Sequence, residues 1–452
     1  MSEDRLGERT VRALEGALAR AGAPEWDLYY EEGSELSIEV QDGEVDAYEA
    51  ARSAGAGVRV IDGGRIGFAY TSALDRDAIG AAVQAACAAA AAGDPDALIS
   101  LPRPDDVRAL PEVETTDRSL LEVPIADKIE RTRAIEAAAR AASPKIARVR
   151  KASYGEGWGR ARLLNSHGVD LEEEGTLLHC DVMVVAEDDG EEQLGWEAQM
   201  GHFLRELDFA ACGRTAAARA TALLGARPVP TARLPIVLEP HVVCEILDVL
   251  AESLLAESVW KQRSLLREKE GQEVASPLVT LIDDGTHPGG AAASRFDGEG
   301  MPRQRTVVVD GGLLRGFLFD RYWAAKMGRT STGNSDRAGF RAPPLLGTSN
   351  LILAAGTGGD VGALAREMGH GLVVSELIGV HTADPISGDF SLGASGQLVR
   401  AGEPVQPVSG IAVAGNLLGL LRAVRAVGSQ LRFYGSAGAP PLLVEALDVA
   451  GS

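Results

Sequence analysis

Two acidic-glycine turns punctuate the N-terminal part of the chain, Asp42-Gly43 and Asp62-Gly63-Gly64. Each lies between short runs that are partly alternating in apolar and polar residues. Glycine accepts the positive φ that a tight hairpin demands, and aspartate bonds back to its own backbone. Trp26–Glu31, Glu35–Gln41, Val45–Arg52 and Ala56–Ile61 are therefore predicted as strands of an antiparallel meander, which Arg65–Thr71 closes.

Helices frame this meander. Leu6, Val11, Leu14 and Leu18 recur at three-to-five spacing, predicting an amphipathic helix over Asp4–Arg20. Asp75–Ala92 begins at a capping aspartate and is rich in alanine. Asp94–Thr116, rich in Pro and Asp, reads as an extended crossover. Ala126–Ala142 is a further long helix, stopped by Ser143-Pro144. Strand character returns in Ala147–Tyr154, Ala161–Asn165, Val169–Ala186 and Glu191–Gly201, and Leu207–Leu224 reads as a helix.

The chain has 452 residues, more than one hydrophobic core accommodates, so two domains are expected. Gly225–Leu234 holds two prolines and no period, and the boundary is placed there, giving domains 1–225 and 226–452. The second half opens with a strand, Leu234–Leu238, and a helix from Pro240 to about Ala256. Glycine and short strands dominate beyond that, with helices at Val361–Met368 and Asn416–Ala426. The fold class expected is α+β: an N-terminal α+β domain with antiparallel strands and long helices, and a mainly-β, barrel-like C-terminal domain.

Charge and composition exclude several classes. A formal net charge of −21 disfavours binding to the phosphate backbone of nucleic acids. No apolar run has the length of a membrane span. MSEDRLGERT has neither an apolar signal core nor an Arg-rich targeting pattern, so the cytoplasm is the expected location. The four cysteines, Cys87, Cys180, Cys212 and Cys244, form no CxxC pair and fit buried, reduced thiols.

Small and turn-forming residues crowd into Glu376–Gly396, where Gly388, Gly393 and Gly396 alternate with Ser387, Ser391 and Ser395. Such density serves hairpin turns or the close approach of another backbone, as at a binding edge.

Several strings, taken in order, give the chain a family resemblance. VASPLVTLIDD (Val274–Asp284), FDGEGMPRQRTVVVDGGLLRGFLFDRYWAAKMG (Phe296–Gly328), STGNSDR (Ser331–Arg337), SNLIL (Ser349–Leu353), ELIG (Glu376–Gly379), SGDFSLGASG (Ser387–Gly396) and IAVAGNLL (Ile411–Leu418) run through the second half. GVRVIDGGRIGFAYTS (Gly57–Ser72) precedes them. The ordered set resembles the TldD/PmbA family, and more closely its PmbA (TldE) branch. The resemblance implies a heterodimeric metallopeptidase acting on unstructured peptides. Its TldD-type chain carries an HExxxH helix and a later cysteine that together hold a metal, expected to be zinc. Its TldE-type chain lacks those ligands and completes the substrate chamber. The family's association with DNA gyrase would then be indirect, through a processed peptide.

At the HExxxH position this chain has Cys244, Glu245 and Val249. Valine offers no lone pair, and one thiolate is not a zinc site. The later cysteine would fall near Gly393, Ala394, Ser395 and Gly396, where no thiol stands. The expectation is that this chain binds no metal or other cofactor, that zinc belongs to a TldD-type partner, and that Gly393–Gly396 form a substrate-binding wall. Cys244 reads as a small buried hydrophobe. His370, flanked by Gly369 and Gly371, reads as a helix-terminal histidine, and His381, Asp384 and Asp389 as turn residues. Two other readings stay open: a peptide-binding homodimer without peptidase activity, and a metal-independent hydrolase using Ser395 or Cys244.

Overall fold

The computed structural model describes residues 6–451. Residues 4 and 5 of the first predicted helix lie outside them; the helix itself, α1, runs Glu8–Ala21 and buries Val11, Leu14 and Leu18.

The meander is present, with longer strands than its sequence pattern gives. β1 is Glu25–Gln41, β2 Glu44–Asp62 and β3 Arg65–Thr71. Ala147–Tyr154 and Ala161–Asn165 likewise fuse into β4, Ile146–Asn165. Glycine and charge interrupt the alternation at Gly33 and at Gly155–Arg160, yet backbone pairing continues through both. β5 (Asp170–Asp188) and β6 (Glu191–Gly201) complete an antiparallel six-stranded sheet, ordered β3-β2-β1-β4-β5-β6. α1 and α2 (Arg76–Ala92) pack with Leu28, Val58 and Val60. α3 (Ile125–Ala142) and α4 (Phe209–Ala222) pack with Ile38, Tyr154, Cys180 and Val182. Even-numbered residues of β1, β4 and β5 dominate these cores, so one face of the sheet carries the helices.

A barrel forms the heart of the C-terminal half. β7 (Ala232–Leu238) lies parallel to His370–Ile378 and antiparallel to Leu442–Ala450. His370–Ile378 pairs with Asp389–Arg400, which pairs with Glu403–Asn416. Ala412–Ala414 then pairs with residues 448–450, closing a ring of five strands. A second six-stranded sheet contains Leu281–Asp284, Arg305–Asp310, Leu351–Leu353 and Ala437–Ala439. The protein is therefore an α+β fold with a closed C-terminal barrel.

Helix ends depart from the sequence reading where tertiary pairing competes. α5, Pro240–Ala251, gives way to a 3-10 turn at Glu252–Leu254. The helix predicted over Asn416–Ala426 covers only Leu417–Arg422, because Val424–Val427 pairs with the last barrel strand. His370 is the first residue of a barrel strand, one position beyond the Gly369 cap, rather than part of the helix.

Candidate functional site

Helix α5 projects His241, Cys244, Glu245 and Asp248 on one side, since residues three, four and seven apart share a helix face. That face looks onto the helix-free face of the N-terminal sheet. A cavity of about 470 Å³ lies between them, lined by His179 and Asp181 of β5, Trp196 and Met200 of β6, these α5 residues, and Tyr434.

Beside the cavity runs a buried charge network. Glu197 of β6 has a side chain that is 0% exposed. It meets Arg219 Nη1 at 3.0 Å and Arg432 Nη2 at 2.8 Å, and accepts from Tyr434 Oη at 3.3 Å. Arg219 also reaches Glu239 at 3.4 Å and packs over the Trp196 ring. The Trp196, His241 and Tyr434 rings contact one another. Two cations around a carboxylate keep a buried charge paired, which a lone buried ion cannot achieve.

The cavity carboxyls behave differently. Burial, then the charges of Glu376 and Asp248, pushes the Glu245 carboxyl up to about 7. Its Oε2 is buried without a hydrogen-bond partner among the described residues. Burial also raises Asp248 and Glu376. A carboxyl that is half protonated near neutrality both donates and accepts hydrogen bonds. Such a group suits a peptide backbone, which presents one donor and one acceptor per residue.

The predicted site residues divide between two places. Cys244 and Glu245 are together at the cavity. Val249 points elsewhere, into an apolar gap with Leu377 and Val380. Gly393–Gly396 lie in a central barrel strand, paired with Gly396↔Val374 and Ile378↔Gly393 on one side and Gly393↔Ala412 and Gly396↔Val408 on the other. They leave no free strand edge and do not line the α5 cavity. Gly396 serves close backbone approach: a Cβ there would fall 1.9 Å from the Val373 carbonyl oxygen. The start of the same glycine-serine segment does reach the site, because Glu376 acts on Glu245. Ser395 and Asp389 are six residues apart on one strand, roughly 20 Å, too far for Asp389 to assist Ser395 as a nucleophile. Asp384 and Asp389 bind Ile386 N and Asn416 Nδ2 as turn residues do.

The donor set does not fit a catalytic zinc. Cys244 donates to the Ala437 carbonyl at 3.4 Å, and burial, then Asp248, pushes its thiol up to about 12. Val249 has no donor atom. Both His241 nitrogens are engaged, with Arg219 and Ser375. Among the described residues no group of three or more His, Cys, Asp or Glu is placed to hold a metal ion.

Sequence spacing signals the α5 face through His241, Cys244, Glu245 and Asp248. Glu197, Arg219, Arg432 and Tyr434 carry no such signal, because they converge only through folding.

The chain thus combines a helix-covered antiparallel sheet, a five-stranded barrel and a cavity lined from both. The sequence matches the PmbA/TldA metallopeptidase domain 1 over residues 26–90, the central domain over 118–224 and the C-terminal domain over 231–451. The chain belongs to the PmbA/TldD metallopeptidase family. It is 27% identical to the metalloprotease PmbA of Escherichia coli O157:H7 over 450 residues, covering 99% of this chain and 96% of that one. It is 28% identical over 377 residues to an uncharacterized protein of Methanocaldococcus jannaschii, covering 81% and 83% respectively. The solved structure of TldE from Thermococcus kodakarensis superposes with a TM-score of 0.90 at 23% identity, covering 97% of this chain and all of that one. A putative modulator of DNA gyrase from Thermotoga maritima gives 0.89 at 26% identity, covering 98% and 100%. Among the described residues, no helix is long and apolar enough to cross a membrane.

Proposed function

We propose that this chain is the TldE-type, non-metal-binding subunit of a heterodimeric metallopeptidase. A TldD-type partner supplies the zinc, and the assembled chamber hydrolyses unstructured peptides in the cytoplasm. The supporting observation is α5: at the family's metal-binding helix, a hydrogen-bonded thiol and an inward-turned valine stand where ligands belong. Glu245 and its neighbours remain as a polar wall for peptide backbone. Gly393–Gly396 support that wall through the barrel strand paired with Glu376. The division near residue 225 separates the sheet-and-helix part from the barrel part.

Co-expression with a TldD-type chain, followed by size-exclusion chromatography, metal analysis and a casein or peptide assay, tests this reading. The expected result is a 1:1 complex holding metal in the partner, active only when both chains are present. Stoichiometric zinc and peptidase activity in this chain alone would sink it. A metal-free homodimer that binds peptide and ignores the TldD-type chain would establish the alternative, a peptide-binding module.

A further inference from the structure

The helix-free face of the N-terminal sheet carries a trough that extends well beyond the α5 cavity. Cavities of about 510 and 300 Å³ share Glu35, Gly157 and Leu177. The second of these and the 470 Å³ α5 cavity share His179. The three therefore lie end to end along β4 and β5. From Ala161 to Gly155 the run is roughly 20 Å, the length of about six extended residues.

Glycine paves its floor. Gly33 sits opposite Gly159, and Gly159 opposite Gly175. Gly157 sits between Glu35 and Leu177, and Gly155 between Ser37 and His179. Glycine weakens a strand interior and marks places where something approaches the backbone closely. At two positions the protein's own packing gives no reason for it. A Cβ at Gly157 or Gly159 would meet nothing nearer than 3.9 Å. Neither residue has a positive φ. The space over them is left for something other than this chain.

The walls say what chemistry fits. Glu35, Glu49, Asp181 and Asp248 have no ion-pair or hydrogen-bond partner among the described residues, and Arg160 is the sole Lys or Arg lining the three cavities. Past the end of the glycine floor, on the same face of β4, Ser153 lines none of the three cavities; it is 4% exposed with its Oγ unpartnered. It lies between Glu39 and Asp181 in register. We propose that this glycine-floored trough holds an extended peptide segment rich in lysine and arginine and leads it toward the α5 cavity. The proposal rests on the chamber-wall reading above and adds the substrate class and its path.

The test is fluorescence anisotropy with the full-length chain. It uses two unstructured labelled peptides of equal length, one built on Lys, Ser and Gly and one with Glu in place of Lys. The lysine peptide is expected to bind at least about tenfold more tightly, and to weaken as salt rises. Gly157→Val and Gly159→Val are expected to cut that affinity about tenfold or more. Their melting temperatures should hold or rise, because a β-branched residue favours a strand where it meets no clash; Gly157→Ala serves as the milder variant. Glu35→Gln with Asp181→Asn should weaken the lysine peptide alone. Unchanged affinity in the folded glycine variants would overturn the trough as the binding path. Equal binding of the two peptides would overturn the charge selection. Both readouts use the single chain, so they fail separately from complex formation with a TldD-type partner.

Discussion

Arg219 of helix α4 places Nη2 3.1 Å from Nδ1 of His241 on helix α5. The other imidazole nitrogen lies 2.7 Å from the Ser375 carbonyl oxygen. A guanidinium only donates and a carbonyl only accepts, so both contacts require the neutral ring with its proton on Nε2. Burial and the Arg219 charge push this imidazole down to about 3, which keeps it in that form. One side chain of α5 thereby joins helix α4 to a barrel strand.

Arg219→Ala should destabilise the chain by about 3 kcal/mol, because Glu197 stays buried with one of its two cations gone. Chemical denaturation of the two proteins measures it. A loss below about 1 kcal/mol would mean that Arg432 alone satisfies Glu197.

The His241 ring gives stability that fades in acid. Unfolded, it takes up a proton near its ordinary 6.5; folded, it resists until about 3. The unfolded state therefore binds more protons in that window, and stability falls as pH drops through it. The difference between wild type and His241→Gln should shrink steadily from pH 6.5 to pH 4 in thermal melts. A constant difference would show that the ring is charged or solvated in the folded chain.

Glu245 should act with the opposite sign. Its carboxyl rises from 4.5 to about 7 on folding, so the folded state holds the extra proton between those values. Stability is lost as pH rises through the window. Glu245→Gln should therefore match wild type near pH 4.5 and exceed it above pH 7. The gain should be about 1 kcal/mol, after allowing for partial solvent screening of this half-buried group. A variant no more stable than wild type at pH 8 would place this carboxylate in full solvent contact.

Gly396→Ala should cost about 2 kcal/mol or more, since the added methyl meets the Val373 carbonyl oxygen. Gly157→Ala, whose methyl meets only open trough, should cost nothing measurable or stabilise. Comparing the two melts separates a glycine required by packing from one that leaves room. Equal costs would contradict the register in which these strands pair.

Native thiol titration should find at most one reactive cysteine, the half-buried Cys87. Cys180, Cys212 and Cys244 are buried and should appear only in denaturant. Prompt labelling of Cys244 would show that α5 moves away from the carbonyl of Ala437.

What the sequence alone determined was local. Asp-Gly turns set the meander, because few residues tolerate those dihedrals. Apolar spacing set α1, a capping aspartate and alanine content set α2, and three-, four- and seven-residue spacing put His241, Cys244, Glu245 and Asp248 on one face of α5. Strand lengths escaped it: Gly33 and Gly155–Gly159 look like breaks, yet pairing partners on both sides carry the backbone through. The setting of Gly393–Gly396 within a strand paired on both sides escaped it too, because a close-approach glycine and a binding-edge glycine read alike until the neighbouring strand is known. Tertiary structure alone decided that Glu197, Arg219, His241 and Arg432 meet. It also set the glycines of β1, β4 and β5 side by side as the floor of one trough. Those outcomes depend on register between strands far apart in sequence, and register is fixed by how whole faces pack rather than by any single stretch of chain.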